Sequence, residues 1–347
     1  MSQLHGSYVT EQKDDGKIQC LTCAHRCVFS KEGQIGRCNA RAMVEGQVRS
    51  LVYGKSIAAS MDPIEKKPLF HVLPGTSILS VGTVGCNLKC KFCQNYQISQ
   101  VSDLARRVVD TKDFEAMGDD LQPTQIVGRA QASRCPSIAF TYTEPVIMFE
   151  YMFDTFKLAK EKGIKTVGVT NGYWTDEALD MIAPYCDAFN VDLKGDDDFY
   201  KKLCGARLGP VQEFIRKAFE RGIHVEVTNL VIEGHNDSDQ QFKDLCSFVV
   251  SVSPSIPLHF SACYPTYKLL DIPRTSVQTL ERAARIAKDC GVLHVYLGNV
   301  PDHELMNTYC PSCNAVVITR NRSRRVNVLL DDGKCRDCGT SIYGIWK

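Results

Sequence analysis

The stretch Ser80-Val81-Gly82-Thr83-Val84-Gly85-Cys86-Asn87-Leu88-Lys89-Cys90-Lys91-Phe92-Cys93-Gln94-Asn95 decides the reading of this chain. Cys86, Cys90 and Cys93 follow the spacing C-x3-C-x2-C. A [4Fe–4S] cluster asks for one ligand on each of its irons. Three thiolates in one tight loop, with no fourth cysteine beside them, leave one iron open, and an open iron is a place for chemistry. The C-x2-C-x2-C-x3-C-P run of two-cluster ferredoxins is absent. A zinc knuckle and three unrelated buried thiols are the competing readings.

Outward from this loop, β-rich runs alternate with helical ones. The expected strands are 77–81, 137–141, 166–170, 189–193, 224–229, 258–262 and 293–298. Amphipathic segments are expected at 145–162, 211–221, 240–252 and 276–289. In the first of these, Ile147, Phe149, Met152, Phe153, Phe156 and Leu158 form the apolar face. Such alternation implies βαβ units and a parallel sheet. The expected fold is α/β, a TIM-like barrel, complete or partial, over residues 76–300. Residues 1–75 read as a cysteine-rich segment with lead-in strands, and 301–347 as a separate tail. In a barrel, reactive groups sit at the C-terminal ends of strands, which is where the cysteine loop falls. A doubly wound sheet is the alternative, although no G-x-G-x-x-G opens a helix.

The chain has 347 residues, 44% of them apolar, and a net charge of +1. That charge gives no electrostatic footprint for nucleic acid or an anionic membrane. The start, Met1-Ser2-Gln3-Leu4, carries no secretory signal pattern, and no apolar run is long enough to span a membrane. Seventeen cysteines, mostly in C-x2-C or C-x3-C groups, suggest metal-bound thiolates in a reducing compartment. A cytoplasmic location is expected.

In the tail, Cys310-Pro311-Ser312-Cys313 and Cys335-Arg336-Asp337-Cys338 flank β-like runs. Two knuckles on a hairpin describe a zinc ribbon, usually structural and too small to fold without its metal. The basic run 320–325 between them is expected to be solvated, or to touch RNA or an acidic partner. At the front, Cys20, Cys23, Cys27 and Cys38 follow C-x2-C-x3-C-x10-C. They suit zinc or a second iron–sulfur cluster. Zinc is the expected metal, because the segment reads as short and polar, with no apolar shell for a redox centre. Cys135, Cys186, Cys204, Cys246 and Cys290 read as small buried apolar residues.

The loop resembles the C-x3-C-x-Φ-C signature of the radical S-adenosylmethionine (SAM) enzymes, with Phe92 as Φ. Tyr142-Thr143-Glu144-Pro145 resembles the G-G-E-P element of the activating enzymes in that superfamily, with Tyr142 and Thr143 in place of two glycines. Thr170-Asn171-Gly172 is similar to their T-N-G, and Asp192-Leu193-Lys194 to their D-L-K. By themselves, Glu144 and Pro145 also read as a helix N-terminus. With the front C-x2-C-x-H-x-C segment and the tail 298–310, the chain resembles the AmmeMemoRadiSam-system enzymes, which are pyruvate formate-lyase activating enzyme-like.

The resemblance implies a partial (β/α)6 barrel of the radical SAM type. It implies that SAM chelates the open iron and is reductively cleaved to methionine and a 5′-deoxyadenosyl radical, which takes hydrogen from a substrate. It implies SAM contacts at Phe92, Asn95, Thr143, Glu144, Thr170, Asn171, Asp192 and Lys194. It also implies an electron donor such as flavodoxin or ferredoxin, and Memo-like and AMMECR-like companion proteins. The substrate could be a partner protein, as for an activase. A second reading is modification of RNA or a small molecule, with the ribbon as clamp. A third is a non-enzymatic, zinc-organised scaffold. Related proteins carry Arg and His near 259–264, where this chain has His259, Ala262, Cys263 and Tyr264, so substrate contacts there differ. Cys263 is considered as a hydrogen-atom donor, against the simpler reading of a buried apolar residue.

Overall fold

The computed structural model describes residues 4–101, 117–321 and 325–347. Arg322 and Arg324 of the basic run, and Met1 to Gln3, lie outside the described residues. The chain forms two compact units. One comprises Met1–Met61 with Ile78–Asp187, the other Asp62–Ser77 with Ala188–Lys347.

The first unit opens with two small antiparallel sheets. Thr10–Gln12, Ile18–Cys20 and Val28–Phe29 form one; His5–Gly6, Gln47–Ser50 and Arg41–Val44 form the other. Their shared core is Cys20, Phe29, Met43 and Val48. Three parallel strands follow: β1 (Ser77–Gly82), β2 (Ser137–Phe140) and β3 (Lys165–Thr170), with β2 between the others. Ile78, Leu79, Val81, Ile138, Ala139 and Phe140 are all buried, as strands covered on both faces require. The connections carry α1 (Pro123–Ala132), α2 (Phe149–Glu161) and α3 (Asp176–Ile182).

The segment expected as one helix over 145–162 is two pieces. A 3₁₀ turn, Pro145–Met148, precedes α2. Pro145 occupies the first helical position, and the Glu144 carboxylate accepts from Val146 N. Of the expected apolar face, Ile147, Phe149, Met152 and Phe156 are buried, while Phe153 and Leu158 are half-buried. Within this unit Arg41 donates through both terminal nitrogens to one Glu150 oxygen, at 3.1 and 2.9 Å. The other Glu150 oxygen accepts from Ser7 Oγ and Tyr8 N.

The second unit holds β4 (Ala188–Asp192), β5 (His224–Val231), β6 (Leu258–Ala262) and β7 (Val295–Gly298), parallel and in that order. Helices α4 (Leu208–Glu220), α5 (Asp239–Val252) and α6 (Val277–Asp289) connect them. Ser238 and Gln241 form a capping box on α5, and Ser276 caps α6. The strand expected from Leu293 begins at Val295; Leu293 is 45% exposed and stands outside the ladder.

Thr308–Tyr309, Val316–Arg320 and Val326–Val328 then form an antiparallel sheet, followed by the short hairpin Leu330–Asp331/Lys334–Cys335. Their core is Cys310, Val317, Ile318, Leu330, Cys335 and Ile342. Among the described residues, no helix is long and apolar enough to cross a membrane.

Candidate active site

β1 ends at Gly82, and the chain turns directly into the cysteine loop. Gly85 has φ +92°, and a Cβ there would lie 2.6 Å from the Cys38 carbonyl oxygen. Only glycine fits both the backbone conformation and the approach. That approach lets Cys86 N donate to Cys38 O at 3.2 Å. Gly85→Ala must displace backbone, and is expected to cost about 1–3 kcal/mol of stability. Iron loading should fall with it. Urea denaturation and iron analysis test this; wild-type values for both would refute the packing argument.

Cys86 and Cys90 are buried and Cys93 is half-buried. Leu88 N–H points at Cys86 Sγ from 3.4 Å, and Asn171 Nδ2 lies 3.9 Å from it. Cys93 Sγ lies 3.1 Å from Ser99 Oγ. Burial pushes the Cys86 thiol well up, and the Glu144 carboxylate and the Cys90 and Cys93 thiols push the same way. A thiol so buried ionises only beside a cationic core, and two N–H groups already face the Cys86 sulfur. This donor set fits an iron–sulfur cluster.

Two residues past the end of β2, Tyr142 has a φ of +72°. The backbone thus adopts the left-handed conformation that glycine favours, here with a tyrosine. Its ring is accommodated because Gly82 has no Cβ, which would sit 2.9 Å from Tyr142 Cδ2. Tyr142 Oη lies 2.8 Å from Ser60 Oγ, and its carbonyl accepts from Asn95 Nδ2 at 3.0 Å. Thr143 Oγ1 donates to Thr83 O at 2.8 Å.

Glu144 is buried and ties strand ends together. One oxygen accepts from Val146 N (3.0 Å) and Thr170 Oγ1 (2.6 Å); the other accepts from Asn171 N (2.7 Å). Asn171 Nδ2 in turn donates to Asn87 Oδ1 at 2.8 Å, inside the cysteine loop. Trp174 Nε1 donates to Thr170 Oγ1, and Asn87 Nδ2 to Tyr173 O. His25 Nε2 lies 2.9 Å from Asn87 O. Burial, with the charge of Arg37, lowers the His25 pKa to about 4, so the ring is neutral at pH 7.

The structure therefore gathers Cys86, Asn95, Thr143, Glu144, Thr170 and Asn171 at the ends of β1, β2 and β3. Phe92 packs buried within the same loop. Asp192 and Lys194 stand at the end of β4 in the second unit, paired at 2.7 Å. Asn87, Tyr173 and Trp174 were not singled out in the sequence. Asn87 lies inside the cysteine loop, and Tyr173 and Trp174 directly follow Thr170-Asn171-Gly172, but only their partners reveal a role.

The front thiols Cys20, Cys23, Cys27 and Cys38 line one cavity of about 20 Å³, together with Phe29, Arg41, Val146 and Ile147. The expected lack of an apolar shell is thus corrected: Phe29, Met43 and Val48 pack on Cys20, and Val146 and Ile147 come from the turn after Glu144. In the tail, the four thiols of Cys310, Cys313, Cys335 and Cys338 lie within 4.8 Å of one another. Cys310–Cys338 and Cys313–Cys335 are 3.5 and 3.7 Å apart. A tetrahedral zinc with bonds of about 2.3 Å sets sulfurs roughly 3.8 Å apart, so the ribbon geometry fits zinc.

The remaining candidates pack structurally. Arg320 of the basic run is buried, donating to Met306 O, Thr308 Oγ1 and Phe70 O. His259 Nε2 lies 2.7 Å from Glu226, and both are buried. Cys263 is buried, and burial raises its thiol to about 11. Cys135, Cys186, Cys204 and Cys246 are buried and Cys290 half-buried, and all 17 cysteines are free of disulfides.

Residues 80–249 match the Radical SAM superfamily, and the chain belongs to that superfamily of enzymes. It carries a radical SAM catalytic domain. An uncharacterized protein of Methanocaldococcus jannaschii is 41% identical over 335 residues, covering 96% of this chain and 97% of the relative. The pyruvate formate-lyase 1-activating enzyme of Escherichia coli K12 is 25% identical over 230 residues, covering 60% of this chain and 87% of that enzyme. A radical SAM methyltransferase from Sphaerobacter thermophilus overlays 65% of this chain and 68% of its own, with 18% identity and a TM-score of 0.49.

Proposed function

We propose that Cys86, Cys90 and Cys93 hold a [4Fe–4S] cluster, that SAM binds beside it, and that the enzyme acts on a partner protein. When bound, this pair of cofactors supplies reductive cleavage of SAM and hydrogen-atom abstraction from substrate. The observation that carries the reading is the Glu144 node. One buried carboxylate fixes Thr170 and Asn171, and Asn171 reaches Asn87 and Cys86. That node orients the cysteine loop against two strand ends and keeps its donors fixed.

Phe92, Asn95, Thr143, Glu144, Thr170 and Asn171 are proposed SAM contacts. Asp192 and Lys194 are proposed on the family resemblance. The AmmeMemoRadiSam assignment, the (β/α)6 barrel, the boundaries 1–75, 76–300 and 301–347, and the cytoplasmic location belong to the same reading. So do Memo-like and AMMECR-like companions and a flavodoxin- or ferredoxin-class electron donor. The likeness to an activating enzyme supports a protein substrate. The RNA-clamp reading loses Arg320, which is spent on packing. Membership in an enzyme superfamily sets aside the scaffold.

Anaerobic reconstitution with iron and sulfide, followed by SAM and dithionite, tests the reading. The wild type should form 5′-deoxyadenosine. Cys86→Ala should form none and lose the iron of this site. An iron-loaded wild type without product would count against SAM cleavage by this chain.

A further inference from the structure

The front quartet contains more than a structural metal requires. Zinc draws four thiolates almost into contact, as the ribbon thiols are. Among the described residues only the ribbon thiols lie within 4.8 Å of one another; the front thiols stand wider apart, lining one cavity, as four thiolates on a body larger than a single ion would. Phe29, Val146 and Ile147 give the cavity an apolar wall, and Arg41, buried and paired with Glu150, brings N–H donors to the same lining. Ala40 N–H points at Cys38 Sγ from 3.4 Å, the kind of contact that tunes a cluster thiolate.

The second observation is connectivity. Cys38 O accepts directly from Cys86 N at 3.2 Å. From Cys38 Sγ to Cys86 Sγ the route runs through the Cys38 side chain and carbonyl, one hydrogen bond, and the Cys86 backbone and side chain. Gly85 makes this contact, because any Cβ there would meet the same carbonyl oxygen.

We infer that Cys20, Cys23, Cys27 and Cys38 hold a second iron–sulfur cluster. It passes electrons, one at a time, to the site of Cys86, Cys90 and Cys93 across the Cys38–Cys86 hydrogen bond. The inference rests on the SAM-cleavage reading above. In each transfer the front cluster is oxidised by one electron and the SAM-site cluster reduced by one, with no bond made or broken. A low-potential one-electron carrier protein restores the front cluster.

The test uses the full chain, reconstituted anaerobically. The triple variant Cys86→Ala/Cys90→Ala/Cys93→Ala should keep about four irons and a reduced-cluster EPR signal. Zinc at the front site and no iron in that variant would overturn the inference. Should the variant not fold, wild-type metal content decides: about eight irons and one zinc per chain support the relay, about four irons and two zincs refute it.

Electron passage is read on dithionite-reduced, desalted protein. Adding SAM should bleach the front-cluster signal in the wild type and leave it intact in the triple variant. Formation of 5′-deoxyadenosine while the wild-type front signal persists would refute the relay alone. Absence of 5′-deoxyadenosine from iron-loaded wild type would refute the parent reading instead.

Discussion

Glu226→Ala is expected to destabilise the protein by about 3–5 kcal/mol, the cost of emptying a buried charged hub. Glu226 sits on β5 with no exposure. Its carboxylate accepts from Phe70 N at 3.0 Å and His71 N at 2.8 Å. His224 Nε2 and His259 Nε2 lie 3.2 and 2.7 Å away. Alanine would leave two backbone donors and two imidazoles buried without that acceptor. Glu226→Gln keeps one acceptor oxygen and should cost less than alanine. Urea denaturation measures both, and a loss below about 1 kcal/mol for alanine would contradict the hub.

The same carboxylate sets a pH dependence. Burial would raise Glu226, but hydrogen bonds from His224 and His259, and their charge, hold it well below the usual carboxylate range. A depressed folded pKa contributes stability that is present above the unfolded value of about 4.3. It is lost as pH falls from there through the folded value. The wild type should therefore lose stability on acidification below about pH 4.3 more steeply than Glu226→Gln.

Denying the ribbon the zinc that its four-thiol geometry fits is expected to have the other large effect. Structural zinc in small four-ligand modules contributes on the order of 10–16 kcal/mol of binding free energy near neutral pH. The ribbon core is six residues, two of them the ligands Cys310 and Cys335, so little remains without the metal. Its loss reaches further into the second unit. Tyr343 Oη accepts from Val225 N on β5, and Ile345 pairs with the backbone of His71 and Leu73. Arg320 lies over the Phe70 ring at 4.3 Å. A strong zinc chelator, or Cys335→Ser, should expose 301–347 to protease and lower the melting temperature. Zinc-free protein with an unchanged cleavage pattern would show the quartet to be incidental.

What the sequence made legible was chemistry held in short runs. The cysteine loop, Thr170-Asn171 and the two ribbon knuckles carry their meaning in local spacing; the structure draws the four ribbon thiols together and joins Asn171 to Asn87 of the cysteine loop. The strand–helix alternation was legible because buried parallel strands are apolar throughout, as Ile138-Ala139-Phe140 is. Long-range pairings were not. His224-Val225-Glu226-Val227 reads as ordinary alternation, and its meaning depends on Phe70 and His71. Arg41 and Glu150 are 109 residues apart. The front segment looked polar because two of its apolar walls, Val146 and Ile147, come from a distant turn. Tyr142 gave no sign of its left-handed backbone, since the residue type argues against it.

The Glu226 hub also imposes a timetable on the nascent chain. Phe70 and its acceptor are separated by 156 residues. At about 5–20 residues per second, roughly 8–30 s of synthesis pass before that acceptor exists. Tyr343, whose carbonyl faces His71 Nδ1, comes 272 residues after that histidine. Until then the Phe70 and His71 amides are left to water. The second unit cannot close cotranslationally around its own beginning, so its folding waits for the ribbon to emerge.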